Sequence, residues 1–581
     1  MKIVRSLPPQ IPPNKYVALD VEIFGMNDKQ LHRPTSGKFA CLSICSETEP
    51  DTVYMVEHEL DVPAVFRLVQ DAVHVYHNAK FDITQLRRWA NIDPRNKMLD
   101  TMLFERILWN GYYDGFALND LARRYLDMKL DKEVRNLFST ATEMTDELVE
   151  YAAKDAWITL QVLQKQLEIA QGIHKRTGQE IERDAVWAVM DFQGFRLDVD
   201  AWEDLAKKNK ARAKELDANM PINPKSRINP NKPMNPRSPV QVKDLLRLKG
   251  FKGLPSTGVE VLEKFIHKYP KTEAAKIAQD VLLSRKYSTR ASRYGMTFIR
   301  DFIEDDLVAG WSEEEVKVVF GDYNSIGAET FRMACSSPNM QNIIARDTSE
   351  FRECFIARPG NVILVADYSQ QEPCIFAYLT QDKKLIEIVN TGKDIYIEVA
   401  WEMLGERITK EDKRRAPVKS VVLGTQYGLT EYGLADRENI TKAEAGVLID
   451  KFLKTFPEAA IWMDQQRKKK NYVKTVLGTK IYLNPYSKQC ENNALNSPIQ
   501  GSAGQMTKKA LSEIYKNWRW DYDFPVVAVV HDELVLDVPK KIAEEVSEFV
   551  KDTMVRVAED MCPGIKFRAH ADVGSSWAAK S

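Results

Sequence analysis

The 581-residue sequence contains no apolar run approaching the roughly 18–20 residues that a membrane-spanning helix needs. Its start, MKIVRSLPPQIPPNK, is proline-rich and lacks the apolar stretch of a secretory signal. A chain that stays in the cytoplasm and touches no membrane is expected. Seven cysteines occur without a CxxC pair, and Cys41 with Cys45 has no partners at metal-ligand spacing, so neither a disulfide framework nor a zinc site is indicated. No repeat of roughly 20–50 residues is visible, which argues against a solenoid. A global basic excess is also missing, since 82 Lys and Arg stand against 83 Asp and Glu. Any surface for nucleic acid must therefore be local. What is present is ordinary globular composition, 44% hydrophobic and 28% charged. The chain has room for two to four units, because single cores stop growing near about 250–300 residues.

Residues 16–24 (YVALDVEIF) read as a strand carrying acidic residues, and the following residues mix short apolar runs with helical patterns such as 145–169. That is an α/β unit. Helical pattern dominates from residue 181 onward, interrupted at 221–239 by PINPKSRINPNKPMNPRSP, where repeated Pro and Asn predict an exposed loop. Between 203 and 252, 13 Lys or Arg face 5 Asp or Glu, in a chain of net charge −1. The stretch reads either as a solvated helical surface or as an arm gripping phosphates. The C-terminal half alternates strand-like runs (361–366, 525–530, 534–538) with helical stretches (375–390, 411–427, 441–470, 498–516), an α+β pattern.

Four carboxylates stand out near the N-terminus: Asp20 and Glu22 in DVE, Asp82 closing HNAKFD, and Asp155 in YAAKD. Hydrolysis of a phosphodiester calls for hard oxygen ligands around divalent ions. Residues two apart on a strand share a face, so Asp20 and Glu22 can reach one metal. A single such Asp is more often a cap or a surface charge. The combination is different: DxE, then Asn78 four before Asp82, then Tyr151 four before Asp155. In order and spacing this resembles the three motifs of the DEDD proofreading exonucleases. The resemblance implies that Asp20, Glu22, Asp82 and Asp155 hold two metals while Tyr151 orients the attacking water.

A second constellation lies further on. NVILVADYSQQEP is an apolar strand reaching Asp367, and VVAVVHDELVLDV is two apolar runs around a polar His531-Asp532-Glu533 tip, read as a hairpin. Between them, Arg415, Lys419, Leu423 and Tyr427 recur every four residues, so a helix would place them on one face. The bland reading is a basic amphipathic helix facing solvent; the sharper one is a triphosphate clamp with Tyr427 further along against a base.

Together these segments resemble the motifs of family A DNA polymerases: DYSQQE, RxxxKxxxxxxxYG and HDE, with TFRMACSSPNMQNI and ALNSPIQGSA agreeing as well. PSTGVEVLEKF and LLSRKYSTRASRYG resemble the family's thumb and the region beyond it. The resemblance implies an α/β RNase H-like exonuclease domain (1–180) followed by an α+β right-hand polymerase. Its parts would be a helical thumb (181–310), palm (311–380), fingers (381–490) and a second palm segment (491–581). Asp367 and Asp532 would bind two Mg²⁺, with Mn²⁺ as substitute, and a second pair of ions would sit at the exonuclease site. Arg415 and Lys419 would clamp the nucleotide, with Lys419 also a proton donor to pyrophosphate. Tyr396 falls where the family usually has a histidine near the phosphates. Glu372 would exclude a ribose 2′-hydroxyl, and Tyr427 would stand beside the templating position. Arg332, Asn339, Gln341, Asn496, Gln500 and His531 would contact primer-template DNA, by shared minor-groove acceptors where they read the pair.

Three positions depart from the family pattern: Leu423 where an aromatic ring is common, Asn492 where Arg is common, and Phe331 where Gly is usual. The expected partners are primer-template DNA and deoxynucleoside triphosphates, the expected state a monomer, and the absence of a 5′-nuclease segment suggests a phage replicative enzyme. Rival readings are an exonuclease whose second half only grips DNA, a single-subunit RNA polymerase, and a DNA-binding accessory protein. Intact Asp367, Lys419 and Asp532 oppose the first, Glu372 the second, and two carboxylate sets the third.

Overall fold

The structure is a computed structural model. It describes the chain apart from residues 26–36, 91–96, 131, 227, 229, 252, 307–315, 346–347 and 580–581, together with the side chains of 132, 175, 176, 179, 180, 305 and 306. The residue at 227 of the basic stretch and part of the 181–310 segment thus lie outside the described residues.

Two compact units result from packing. The first comprises residues 1–193, 321–341 and 364–573, the second residues 194–320, 342–363 and 574–581. In the first, a six-stranded sheet runs in the order Lys2–Val4, Thr52–Val56, Lys38–Ser46, Tyr16–Phe24, Val73–Tyr76, Met98–Asp100. Its central strand Tyr16–Phe24 buries Leu19, Val21 and Ile23 and leaves Asp20 and Glu22 half-buried on the other face, as alternation demands. The helix Asp146–Ile169, capped by Thr145 whose side chain accepts from Leu148 N, packs on this sheet through Leu148, Ala152, Ala156 and Leu160.

The same unit holds a second, four-stranded sheet in the order Val526–Val530, Glu533–Pro539, Asn361–Tyr368, Ala569–Gly574. The hairpin read around HDE is present: Val530 pairs with Glu533, and His531-Asp532 is a two-residue turn. His531 takes the left-handed conformation with φ 57°, which a Gly or Asn would adopt more readily. The core of the six-stranded sheet reaches beyond that sheet. Ala18, Val75, Leu103 and Ala156 belong to one buried cluster with Ile326, Phe331, Ile481 and Ala494.

Several expected element boundaries require correction. The stretch 375–390 is two helices, Gln371–Thr380 and Lys383–Thr391, separated at Gln381, which is left-handed at φ 56°. The stretch 441–470 is likewise Lys442–Thr455 and Pro457–Arg467, because Pro457 cannot donate into the preceding helix and instead starts a new one. The helix expected at 498–516 begins at Cys490 and carries Pro498 inside it, where burial of Ala494, Leu495 and Ile499 overrides the local preference.

The second unit pairs helices Val199–Ala218 and Glu273–Arg293 around its own core of Met220, Val242, Leu245, Leu262, Phe265 and Val281. Helices dominate it, as the sequence suggests, and Phe195–Arg196, Val316–Val319 and Ile303–Asp306 add a small sheet. The proline-rich loop is not simply exposed either. Met234 inserts into the core at 2% exposure, and Ile222 bridges to Pro233.

Candidate active sites

The first constellation assembles from three elements. Asp20 and Glu22 project from the strand Tyr16–Phe24, Asp155 from the helix Asp146–Ile169, and ligand atoms of the three lie within 4.8 Å of one another. Among the described residues this is the one group of three His, Cys or carboxylate side chains so gathered. Asp82, in the first turn of Ala79–Leu86, joins by accepting a hydrogen bond from Val21 N at 3.0 Å. Asn78 stands at the N-cap of that helix in the left-handed region, φ 70°. Its N–H and that of Ala79 donate to Asp100 at 3.1 and 2.8 Å, so Asp100 fixes the turn that aims Asp82. Tyr151 lies one turn before Asp155 and hydrogen-bonds to its carboxylate.

Electrostatics mark this cluster as incomplete on its own. Burial pushes Asp20 up to about 7, with Arg135 pulling the other way. Burial, and then the charges of its neighbours, hold Glu22, Asp82 and Asp155 well above the usual carboxylate range. Asp20 Oδ2 and Asp155 Oδ1 are buried without a hydrogen-bond partner. Mutually repelling carboxylates with orphaned oxygens fit hard divalent cations. Arg135 was not legible as a site residue, since nothing in its local sequence ties it to the acids 20 residues and more away.

The second constellation is built on the four-stranded sheet. Asp367 is the penultimate residue of Asn361–Tyr368, and Asp532 sits at the hairpin turn. Burial, followed by the charge of Asp532, pushes up the Tyr368 phenol, and the same charge is felt at Glu372; the Asp532 carboxylate thus lies close to the end of the Asp367 strand. Carboxylates offer the hard oxygen ligands that a divalent cation takes.

Glu372 is held from both sides. Arg332 Nη2 donates to its Oε1 at 2.7 Å, and the Tyr427 hydroxyl donates to its Oε2. Tyr427 caps the helix Arg415–Gln426, in which Val418, Val421, Val422 and Thr425 are buried while Arg415, Lys419, Leu423 and Tyr427 stay on the open side, the single face expected. At the start of this helix Arg415 Nη2 meets Asp394 Oδ2 at 2.5 Å. Asp394 also caps the helix Ile395–Leu404, accepting from Tyr396 N at 2.9 Å. The Tyr396 ring lies close to two cations, 5.3 Å from Arg415 and 5.5 Å from Lys419. Asp394, which ties Arg415 to the start of the Tyr396 helix, was not singled out from the sequence.

The remaining predicted contacts are less connected. Gln341 Nε2 donates to Val529 O at 3.3 Å, beside the hairpin turn, and Asn339 Oδ1 accepts from Gln341 N at 3.0 Å. Asn496 and Gln500 lie one turn apart on Cys490–Lys516, half-buried, and Asn496 Oδ1 has no partner. Asn492 is exposed, and its Nδ2 donates to Gln489 Oε1 at 3.2 Å. Phe331 has φ 55°, the left-handed region that explains why glycine suits this position; its ring is fully buried. The strain, roughly 1–2 kcal/mol, is offset by burying the ring, worth about 1.5–3 kcal/mol. Gly504 lets the helix close on this turn, since a Cβ there would stand 3.0 Å from the Phe331 carbonyl and Arg332 N.

Comparison with known proteins agrees with this geometry. Residues 200–579 match the family model described as DNA polymerase family A, and residues 9–169 match that described as 3'-5' exonuclease. DNA polymerase I of Chloroflexus aurantiacus is 29% identical over 86% of this chain and 54% of its own length, so the chain spans about half of that relative. DNA polymerase I of Aquifex aeolicus is 26% identical over 91% of this chain and 92% of its own. A solved structure, the POL domain of Pol1 from M. smegmatis in complex with DNA primer-template and dNTP, shares the fold at TM-score 0.79 and 22% identity, covering 99% of each chain. These relatives are bacterial and lend no support to the expected phage origin. With an RNase H-like α/β segment ahead of an α+β polymerase, both carrying their acidic constellations, the chain belongs to DNA polymerase family A and bears a 3'-5' exonuclease domain.

Proposed function

We propose that this chain copies a DNA template by adding deoxynucleotides to a primer 3′ end and removes misincorporated ends by 3′→5′ hydrolysis. The observation that carries the reading is the pair of separate acidic centres, each beside groups suited to its own substrate. At the first, Asp20, Glu22, Asp82 and Asp155 would hold divalent cations, Mg²⁺ or Mn²⁺, and at the second Asp367 and Asp532. When bound, such ions lower the pKa of an oxygen nucleophile and neutralise charge at the phosphate. Arg415 and Lys419 bind the triphosphate, and Lys419, the more exposed, delivers a proton to the departing pyrophosphate. Glu372, pinned between Arg332 and Tyr427, fills the space a 2′-hydroxyl would need. At the exonuclease centre Tyr151 orients water at Asp155.

The division into exonuclease 1–180, thumb 181–310, palm 311–380 and 491–581, and fingers 381–490 follows from the same reading. Several cations of 203–252 are committed to ion pairs, including Lys208 with Glu350 and Arg237 with Asp217, whereas Lys225 and Lys232 stand exposed where they can meet duplex phosphates. Among the described residues no helix is long and apolar enough to cross a membrane. The enzyme works as a monomer on primer-template DNA in the cytoplasm.

Primer extension with and without nucleotides tests the reading. Asp20→Ala with Glu22→Ala should stop shortening of a primer and leave extension within severalfold of wild type, while Asp532→Ala should do the reverse. Loss of both activities from either change would overturn the assignment of two centres.

A further inference from the structure

A strip of the first unit outside both centres carries an unusual concentration of charge. From residue 467 to 488 (RKKKNYVKTVLGTKIYLNPYSK) there are seven cations and no Asp or Glu, in a chain whose net charge is −1. The segment includes the hairpin of Tyr472–Lys474 and Lys480–Tyr482. Two flanking cations have carboxylate partners, Lys468 with Asp464 at 2.5 Å and Lys470 with Glu491 at 3.4 Å, in exposed pairs that hold little energy. Lys469 and Lys474 have none among the described residues, and Lys469 feels the positive charge of Lys474. An anion placed here relieves that repulsion.

Aromatic rings are set among these lysines. Tyr472 is 37% exposed, Tyr112 58% and Tyr486 95%. The first two are braced from beneath. Tyr482 stacks on Trp109 with centroids 5.6 Å apart, Tyr112 meets Tyr482 edge-on at 5.3 Å, and Tyr472 lies 6.0 Å from Tyr482. Lys480 Nζ stands 4.8 Å over the Tyr472 ring. The hairpin is seated on the loop after helix Thr101–Trp109: Tyr482 N donates to Asn110 O at 2.8 Å. Gly111, at φ 81°, gives the room, since a Cβ there would collide with the Tyr482 carbonyl.

We propose that these tyrosines and lysines form a platform for single-stranded DNA. Bases with a free π-face stack on exposed rings while lysines meet the phosphates between them. A duplex fits poorly, because its bases are already stacked inside. The inference rests on the polymerase and exonuclease reading for the source of the strand, either the unpaired template ahead of the primer or a frayed primer end bound for the exonuclease centre.

Two variants of the full chain test it, both altering positions outside the two centres. One is Tyr112→Ala/Tyr472→Ala/Tyr486→Ala, the other Lys469→Gln/Lys474→Gln/Lys480→Gln. The probe is fluorescein-labelled oligodeoxythymidine, followed by anisotropy. The tyrosine variant should bind about fivefold or more weakly for each base that stacks. The lysine variant should flatten the slope of log affinity against log salt by about 0.7 for each phosphate no longer neutralised. A template source appears as loss of the affinity gained when a primer-template overhang is lengthened. A primer source appears as a raised KM for single-strand degradation at unchanged kcat. Binding of both variants within twofold of wild type at every salt concentration overturns the platform. Failure of wild-type protein to extend or degrade would instead sink the reading on which it rests, and oligodeoxythymidine binding would still report on the platform.

Discussion

Replacing Asp20 with asparagine removes a charge that the folded exonuclease sheet carries at a loss. Burial lifts the Asp20 carboxyl from an ordinary 3.8 up to about 7. At about 1.4 kcal/mol per tenfold change in proton affinity, that difference sets a ceiling of about 4 kcal/mol. Residual solvent contact at this half-buried side chain reduces the expectation to about 2 kcal/mol. The sign follows from the folded value lying above the unfolded one. Stability is whole below about pH 4 and is lost as the pH rises through about 7, because only the folded chain still holds the proton in that window. In chelator at pH 8, Asp20→Asn should therefore be more stable than wild type by about 2 kcal/mol, and the advantage should fade toward pH 4. With Mg²⁺ at a hundred times its dissociation constant the order should invert, since wild type alone gains about 2.7 kcal/mol from binding. Urea denaturation, with amide exchange of strand Tyr16–Phe24 as a local readout, measures both effects. A variant no more stable than wild type at pH 8 in chelator, or a difference independent of pH, would refute the reasoning.

Three further outcomes are expected. Glu372→Ala should raise incorporation of ribonucleotides relative to deoxynucleotides; an unchanged ratio of kcat/KM values would count against its gating role. Leu423→Phe or Leu423→Tyr, in an exonuclease-disabled background, should tighten nucleotide binding in single-turnover incorporation, because base–aromatic stacking is worth about 1–3 kcal/mol. Weaker binding by both would show a pocket built around leucine. Lys508→Met should cost about 3–5 kcal/mol by stranding Glu182: the pair is 2.5 Å apart with side-chain exposures of 0% and 1%. Adding Glu182→Gln should recover part of that in thermal denaturation.

The strand Tyr16–Phe24 and the shared face of Arg415, Lys419, Leu423 and Tyr427 were legible because each follows from one periodicity within one segment. The gathering of Asp20, Glu22 and Asp155 was legible because their spacing repeats a known pattern. What stayed hidden depends on residues distant in the chain. Arg135 acts on acids of other elements, Asp394 is joined to Arg415 across 21 residues, and Lys80, inside the HNAKFD motif, contacts Asp322 and the Tyr323 carbonyl oxygen. The helix boundaries at Gln381, Pro457 and Cys490 were misplaced for a related reason, since burial and single backbone conformations outweigh propensity there.

The buried cluster that joins Ala18 and Ala156 to Ile326, Phe331 and Ala494 separates the loss of an activity from the loss of a domain. Deleting the N-terminal segment would strip apolar cover from beside the Arg332 turn, whereas exchanging Asp20 or Asp155 leaves that cover in place. A lineage under no selection for proofreading would therefore shed its carboxylates first and keep the inert domain as scaffolding for synthesis.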